Sequence, residues 1–387
     1  MSPETSALST ATPHSQSAPR WLSWLLVAAL VYLLLAAVSA IGAGFKAAAG
    51  EDAKVLFEFA SNPIIALIIG VVATALIQSS STVTSIIVGM VAGGLPVAIA
   101  IPMVMGANIG TSLTSTLVSL GHVRNGEEFR RAFSAATVHD SFNLLAVAIV
   151  LPLELLFQPL ARTSEWLSGL LVSDASMSMS NMNFMKAMLA PGTGILKESV
   201  AWLPGIWSGV ALILLGIGII LMVVTQIGRV LRTLMEGRAM GILRTAVGRG
   251  PVSGMASGTL VTVLVQSSST TTSLIVPLAG SGMFSLKQVY PFILGSNIGT
   301  TITALLAATA ITGASAMVAL QIALVHLLFN IMAIALIYVL PMLRTLPMYM
   351  AEGLAELAQR NKGYVAAYIG GVFFALPLGL VGLSQWL

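Results

Sequence analysis

One polar segment occurs twice in this chain, and it limits the possible folds more than any other feature. Residues 78–88 read QSSSTVTSIIV and residues 266–276 read QSSSTTTSLIV, identical at nine of eleven positions. A second pair follows: MGANIGTSLT at 105–114 against LGSNIGTTIT at 294–303. A third sets His139-Asp140-Ser141-Phe142-Asn143 against His326-Leu327-Leu328-Phe329-Asn330. Upstream, Pro63, Gly70 and Thr74 match Pro251, Gly258 and Thr262. The offset stays between 187 and 189, so one unit has been duplicated. Chance similarity between apolar segments does not keep polar positions in register.

The polar repeats lie in an apolar chain. Of 387 residues, 57% are hydrophobic and 8% charged, where a soluble globular chain carries roughly 25% charged residues. That excludes a soluble enzyme, a disordered protein and a nucleic-acid-binding module, and it predicts an all-α membrane protein. With no cysteine, disulfides, iron–sulfur clusters and thiolate metal sites are excluded. Residues 1–20 read as a disordered tail. Seven full spans are expected at 21–41, 96–120, 132–157, 203–228, 289–310, 316–340 and 364–383. The stretches 63–94 and 251–282 differ. Each is apolar, has about 32 residues and is broken in the middle by Gln-Ser-Ser-Ser. Two spans need roughly 40 residues, and one long helix would leave a Gln and three Ser in hydrocarbon. A re-entrant hairpin of two half-helices is the less costly arrangement.

Charge placement relates the two copies. With the N-terminus inside, the inner segments hold 13 Lys and Arg and the outer ones 5, five of the inner ones being Arg within 229–250. The first hairpin then dips from outside and the second from inside, which makes the repeats antiparallel. Repeat 1 covers 21–157 and repeat 2 covers 203–340. An outer segment at 158–202 separates them, and 341–387 hold an inner linker and the final span, which ends outside. Inverted repeats with broken helices meeting at mid-membrane are a secondary-transporter architecture.

The polar residues suggest the cargo. Ser79, Ser80, Ser81 and Ser267, Ser268, Ser269 fall where each second half-helix begins. Free backbone N–H groups, the positive helix end and hydroxyl donors converge there on an anion. Capping alone would account for one Ser per hairpin. Gln78, Gln266, Asn108, Asn297, Thr111 and Thr300 supply neutral oxygens suited to a small hard cation such as Na⁺, or else hydrogen bonds between helices. Asp140 is the one acid deep in a span, and Leu327 stands at its repeat mate. It holds a cation or is tied to local hydroxyls or His139. His139 and His326, beside matched Phe residues, read as shared packing, and the Arg-rich 229–249 as a topology anchor. No P-loop is present, and two imidazoles do not make a zinc site, so no transition metal is expected.

At these residues the chain resembles the type II sodium-dependent phosphate cotransporter family. The resemblance rests on the paired QSSS motifs, the paired G-x-N-I-G-T segments and EFRRAFSAATVHDSFN at 128–143. It runs from about residue 63 to 383, interrupted by a featureless outer segment. It implies sodium-coupled symport of inorganic phosphate into the cell by alternating access, in a homodimer, with Na⁺ as coupling ion and no other cofactor. It assigns phosphate to the QSSS tips and sodium to nearby Gln, Ser, Thr and Asn oxygens, which adds Thr82 and Thr270. Members reading V-H-D, as Val138-His139-Asp140 does, are electrogenic, and those with Gly at the Asp position are electroneutral. Animal members have a longer outer segment with cysteines and a further span and tail beyond the point matching Leu387. These departures suggest a bacterial inner-membrane protein.

Helix N-termini accept any tetrahedral anion, so sulfate or arsenate is the alternative cargo. An anion channel is a second alternative. An intramembrane serine hydrolase would need a nucleophile elbow, which is missing. The topology has a direct test in this cysteine-free background. Single cysteines placed within 42–62 label from outside, and those within 229–250 label from inside. Labelling of both from one side would break the antiparallel arrangement.

Overall fold

The structure is a computed structural model that describes residues 20–49, 62–111, 113–173, 175–235, 238–375, 377, 379 and 382. Among these the regular structure is helical throughout, with no strand. The expected tail at 1–20 lies outside the described residues but for Arg20.

Helix α1 (Arg20–Ala49) is followed by α2 (Pro63–Ile77) and α3 (Ser80–Ala92), which are separated by a two-residue break. Next come α4 (Val97–Gly110), α5 (Leu113–Ser119) and α6 (Gly126–Phe157). Then follow α7 (Pro159–Ser173), α8 (Ala175–Val200), α9 (Ile206–Met235) and α10 (Arg238–Ala246). The second copy holds α11 (Pro251–Val265) and α12 (Ser268–Gly280), again two residues apart, then α13 (Leu286–Thr309) and α14 (Ala316–Ala333). The chain closes with α15 (Pro341–Arg344), α16 (Leu346–Arg360) and α17 (Gly363–Gly370).

Local chemistry sets the main boundaries. Asn62 caps α2 by accepting from Ile64 N–H, and Pro63 follows at the first helical position. Asn125 does the same for α6, whose first turn carries Glu127 and Glu128. Ser285 and Gln288 form a reciprocal capping box on α13. At the far end of α6, Gln158 turns left-handed at φ 55°. The Glu154 carboxylate then reaches around the turn to accept from Leu160 and Ala161 N–H at 2.7 and 3.0 Å. This acid caps α7.

Six helices are long and apolar enough to cross a membrane: Trp21–Ala48, Val97–His122, Gly126–Phe157, Ile206–Leu231, Leu286–Thr309 and Gly313–Val339. They cover six of the seven expected spans. For the seventh, at 364–383, the continuously described part is the apolar helix Gly363–Phe373, and most of the rest lies outside the described residues. The segment 158–202 is not featureless. It forms α7 and α8, because an amphipathic stretch without long apolar runs still makes a helix when one face is covered. Here Gln321 of α14 donates to Ala161 O.

Glycine interlocks hold the helix before each break to the helix that follows the broken pair. A Cβ on Gly70 would strike Met103 O, and one on Gly106 would strike Leu67 O, so α2 and α4 are in backbone contact. Gly258 against Phe292 O and Gly295 against Met255 O repeat this between α11 and α13. Small residues permit such approach, which dispersion and weak C–H···O contacts stabilise. The ends of the two broken pairs have different surroundings. Gly93, after α3, packs on Phe45 of α1, while the carbonyl of Gly280, at the end of α12, accepts from Arg131 Nε at 2.9 Å. Lys46 donates to Ser315, and Gln359 donates to Glu127.

Gly258→Ala tests the interlock. The carbonyl it would meet is backbone and cannot swing aside, so overpacking of about 1–3 kcal/mol is expected. The melting temperature in detergent should fall, whereas Gly218→Ala, with open space around it, should leave it unchanged or raised. Equal melting of both variants would dismiss the interlock.

Candidate functional site at the helix breaks

The repeated Gln-Ser pairs are the two breaks. Gln78 (φ 58°, ψ 28°) ends α2 in the left-handed region and donates its N–H to Thr74 O. Ser79 (φ −151°, ψ 103°) is extended, and its Oγ caps α3 by accepting from Thr82 N–H at 3.3 Å and Thr82 Oγ1 at 2.8 Å. Gln266 (φ 55°, ψ 27°) and Ser267 (φ −156°, ψ 110°) repeat this, with Ser267 Oγ accepting from Thr270 N–H at 3.2 Å. A glutamine held at positive φ costs on the order of 1–3 kcal/mol, where glycine would sit without strain. The side chain is thus part of the tip. Gln266 donates to Val263 O and accepts from Thr303 Oγ1. The exposed Gln78 offers its carbonyl to Ser269 Oγ at 3.4 Å, which joins the two tips.

Capping thus uses Ser79 and Ser267. Ser80, Ser81, Ser268 and Ser269 are buried in the first turns of α3 and α12, where N–H groups have no intrahelical acceptor. Both tips open onto one cavity of about 270 Å³, through Gln78, Ser79 and Thr82 from one and Ser267 and Thr270 from the other. A water takes roughly 30 Å³, so an oxyanion fits with several waters. The third wall is a single stripe of α9: Leu221, Val224, Thr225, Gly228 and Arg229. The sequence reading missed this wall. The spacing i, i+3, i+4, i+7, i+8 was visible, but nothing in the sequence tied α9 to the tips.

The matched amides lie deeper. Asn108 Oδ1 accepts from His326 Nε2 at 3.2 Å, and Asn297 Oδ1 accepts from His139 Nε2 at 2.6 Å. Asn108 Nδ2 donates to Asn330 Oδ1, and Asn297 Nδ2 donates to Asn143 Oδ1. Each copy's Asn is bonded by the other copy's His and second Asn. This is the hydrogen-bonded alternative for the Asn pair, and it gives the two imidazoles a role beyond packing. Thr111 and Thr300 donate back to Ala107 O and Ser296 O.

Asp140 is buried, and its partners are hydroxyls. Oδ2 accepts from Tyr368 Oη at 2.6 Å and from Thr116 Oγ1 at 3.4 Å. Oδ1 is buried with no partner among the described residues. Beside Thr116, Ser115 Oγ lies 2.6 Å from Thr272 Oγ1, which donates to Ser268 O and Ser269 O. Ser115, the residue before Thr116, is thus bonded through Thr272 to the first turn of α12. No sequence signal pointed to Tyr368, which comes from α17 outside both copies.

Residues 33–187 and 219–379 match the Na⁺/Pi-cotransporter family. The chain belongs to that family. It is 31% identical to sodium-dependent phosphate transport protein 2B of Homo sapiens over 93% of this chain and 65% of that one. It is 34% identical to sodium-dependent phosphate transport protein 2A of Mus musculus over 93% of this chain and 67% of the relative. The chain thus spans about two thirds of the length of these relatives. No solved structure matches it.

Proposed function

We propose that the protein is a secondary transporter of the cell membrane that carries inorganic phosphate inward in symport with sodium. The observation that carries the reading is the cavity bordered by both Gln-Ser tips. It brings two helix N-termini and their hydroxyls to one place, a setting that attracts an anion without fixed charge. The names of the relatives supply the cargo, sodium-dependent phosphate transport. Phosphate binds at Ser79–Ser81 and Ser267–Ser269. Sodium uses the surrounding oxygens of Gln78, Thr82, Gln266, Thr270, Thr111 and Thr300, while Asn108 and Asn297 hold the frame. The different surroundings of Gly93 and Gly280 support hairpins that enter from opposite faces, as alternating access between inverted repeats requires. The homodimer expected from the resemblance belongs to the same proposal.

Uptake of radiolabelled phosphate into proteoliposomes tests the function. Accumulation should follow an inward Na⁺ gradient and not a K⁺ gradient. Equal accumulation with K⁺ would remove the reading, and equal uptake of sulfate would shift it to oxyanions in general. Ser80→Ala and Ser268→Ala should each raise the half-saturating phosphate concentration by about tenfold or more, since a charge-assisted hydrogen bond is worth roughly 1.5–3 kcal/mol. Near-normal values in both would reduce the Ser runs to caps.

Asp140 sets the charge moved. A buried carboxylate with one oxygen unpartnered invites a cation. Two sodium ions balance a phosphate dianion, and a third held at Asp140 leaves one positive charge moving inward, worth about 2.3 kcal/mol per 100 mV. Asp140→Gly should retain sodium-dependent uptake and lose most of the current per phosphate, read from simultaneous current and flux. An unchanged ratio would make Asp140 structural.

A further inference from the structure

Arg229 stands apart among the groups around the cavity. The other wall residues are neutral: amides, hydroxyls, a glycine and aliphatic side chains. Among the described residues, no carboxylate lines the space. The Arg229 guanidinium makes no hydrogen bond or ion pair with any described residue, while its carbonyl accepts from Thr233 Oγ1; the ion pairs among the described residues are His122–Glu128 and Arg130–Glu127. No described residue compensates its positive charge within the cavity. Low-dielectric walls focus such a field on the enclosed space. Gly228, beside it on the same stripe, has no atom within 4 Å of where a Cβ would sit, which leaves room next to the guanidinium.

The helix that carries Arg229 is fixed. A Cβ on Gly209 of α9 would meet Gly44 O at 2.7 Å, and one on Gly216 would meet Ile41 Cγ1 at 2.6 Å, so α9 is in backbone contact with α1. Neither helix belongs to a broken pair. The charge sits on a wall, opposite tips that supply only neutral donors.

We propose that Arg229 is the charge-reading residue of the anion site, selecting the doubly charged form of a tetrahedral oxyanion over its singly charged form. The inference rests on the proposed phosphate cargo and adds a specificity-determining residue to it. Neutral hydroxyls and N–H groups bind either protonation state, and their preference for the dianion is modest. A guanidinium adds a Coulomb term that doubles from monoanion to dianion, and its planar fork matches two oxygens of one phosphate. Its exposure at the cavity wall suits it to receiving the anion before the tips enclose it. A role as topology anchor alone would be indifferent to the charge state of the cargo.

The test is equilibrium binding of radiolabelled inorganic phosphate to the purified full chain at saturating sodium, across pH 6 to 8, for wild type, Arg229→Lys and Arg229→Gln. Wild type should bind more tightly as the dianion fraction grows. Arg229→Gln should weaken binding at the upper pH by about tenfold, the scale of one charge-assisted hydrogen bond, and flatten the pH profile. Arg229→Lys should keep the slope at reduced affinity. If wild type shows no sodium-dependent phosphate binding, the proposed function fails. If wild type binds and Arg229→Gln matches it in affinity and slope, only the role of Arg229 is overturned. A second measurement does not rely on those variants. In this cysteine-free chain, Arg229→Cys is modified with a cationic or an anionic methanethiosulfonate. The cationic adduct should restore the pH slope and the anionic one should not. Identical profiles for the two adducts would also overturn the proposal.

Discussion

Every backbone N–H and C=O in a membrane-spanning chain must find a partner inside the protein or in a water-filled cavity. Two breaks in the middle of apolar segments put that demand at its most severe. At Gln78–Ser79 and Gln266–Ser267 the helix ends, passes through one left-handed and one extended residue and starts again. Each restart satisfies one N–H with its own serine, while the N–H groups ahead of it in the first turn have no intrahelical acceptor. The surrounding helices make this tolerable. Helices α3 and α12 lie against α4, α5, α13 and α14, and the hydroxyls of Ser269, Ser115 and Thr303 tie the tips to their neighbours. The residues that suit an anion and those that relieve the breaks are the same residues.

The central amide–imidazole cross-bonds hold the two copies together at their polar seam. Because Asn108 answers to His326 and Asn297 to His139, neither copy satisfies its own amide oxygen. The two bonds differ in length, 3.2 against 2.6 Å, so the chemical symmetry of the repeat is not carried into equal geometry. Asp140 departs further from symmetry. It uses Tyr368, from beyond the duplicated unit, where the other copy has Leu327.

Much of this was legible because duplication exposes constraint. An αL glutamine followed by an extended serine cannot be recognised from one segment, but two closely matching segments 188 residues apart mark a break that apolar pattern alone would hide. Gly70 and Gly258 were legible as a matched pair, while their contact with Met103 and Phe292 carbonyls was not, since sequence carries no partner information. The α9 wall was hidden for the opposite reason. Arg229 is one of five arginines within 229–249, a stretch that reads as a topology anchor, so its place on the cavity wall does not stand out in the sequence. Tyr368 was invisible because a phenol in an apolar helix looks like ordinary packing. Helices α7 and α8 were overlooked because a search for membrane-length apolar runs passes over amphipathic segments.

The glycine interlocks have a mechanical consequence. Where a carbonyl fills the space that a side chain would occupy, two helices cannot slide along each other by a fraction of a turn without collision. The pair α2–α4 and the pair α11–α13 are therefore each a lever of one piece, with a Gln-Ser tip on one arm and a cross-bonded asparagine on the other. Displacing a tip drags its asparagine and pulls on the histidine of the opposite copy. A disturbance at one end of the ligand cavity thus reaches the other copy by rigid linkage, with no need for a flexible relay between them.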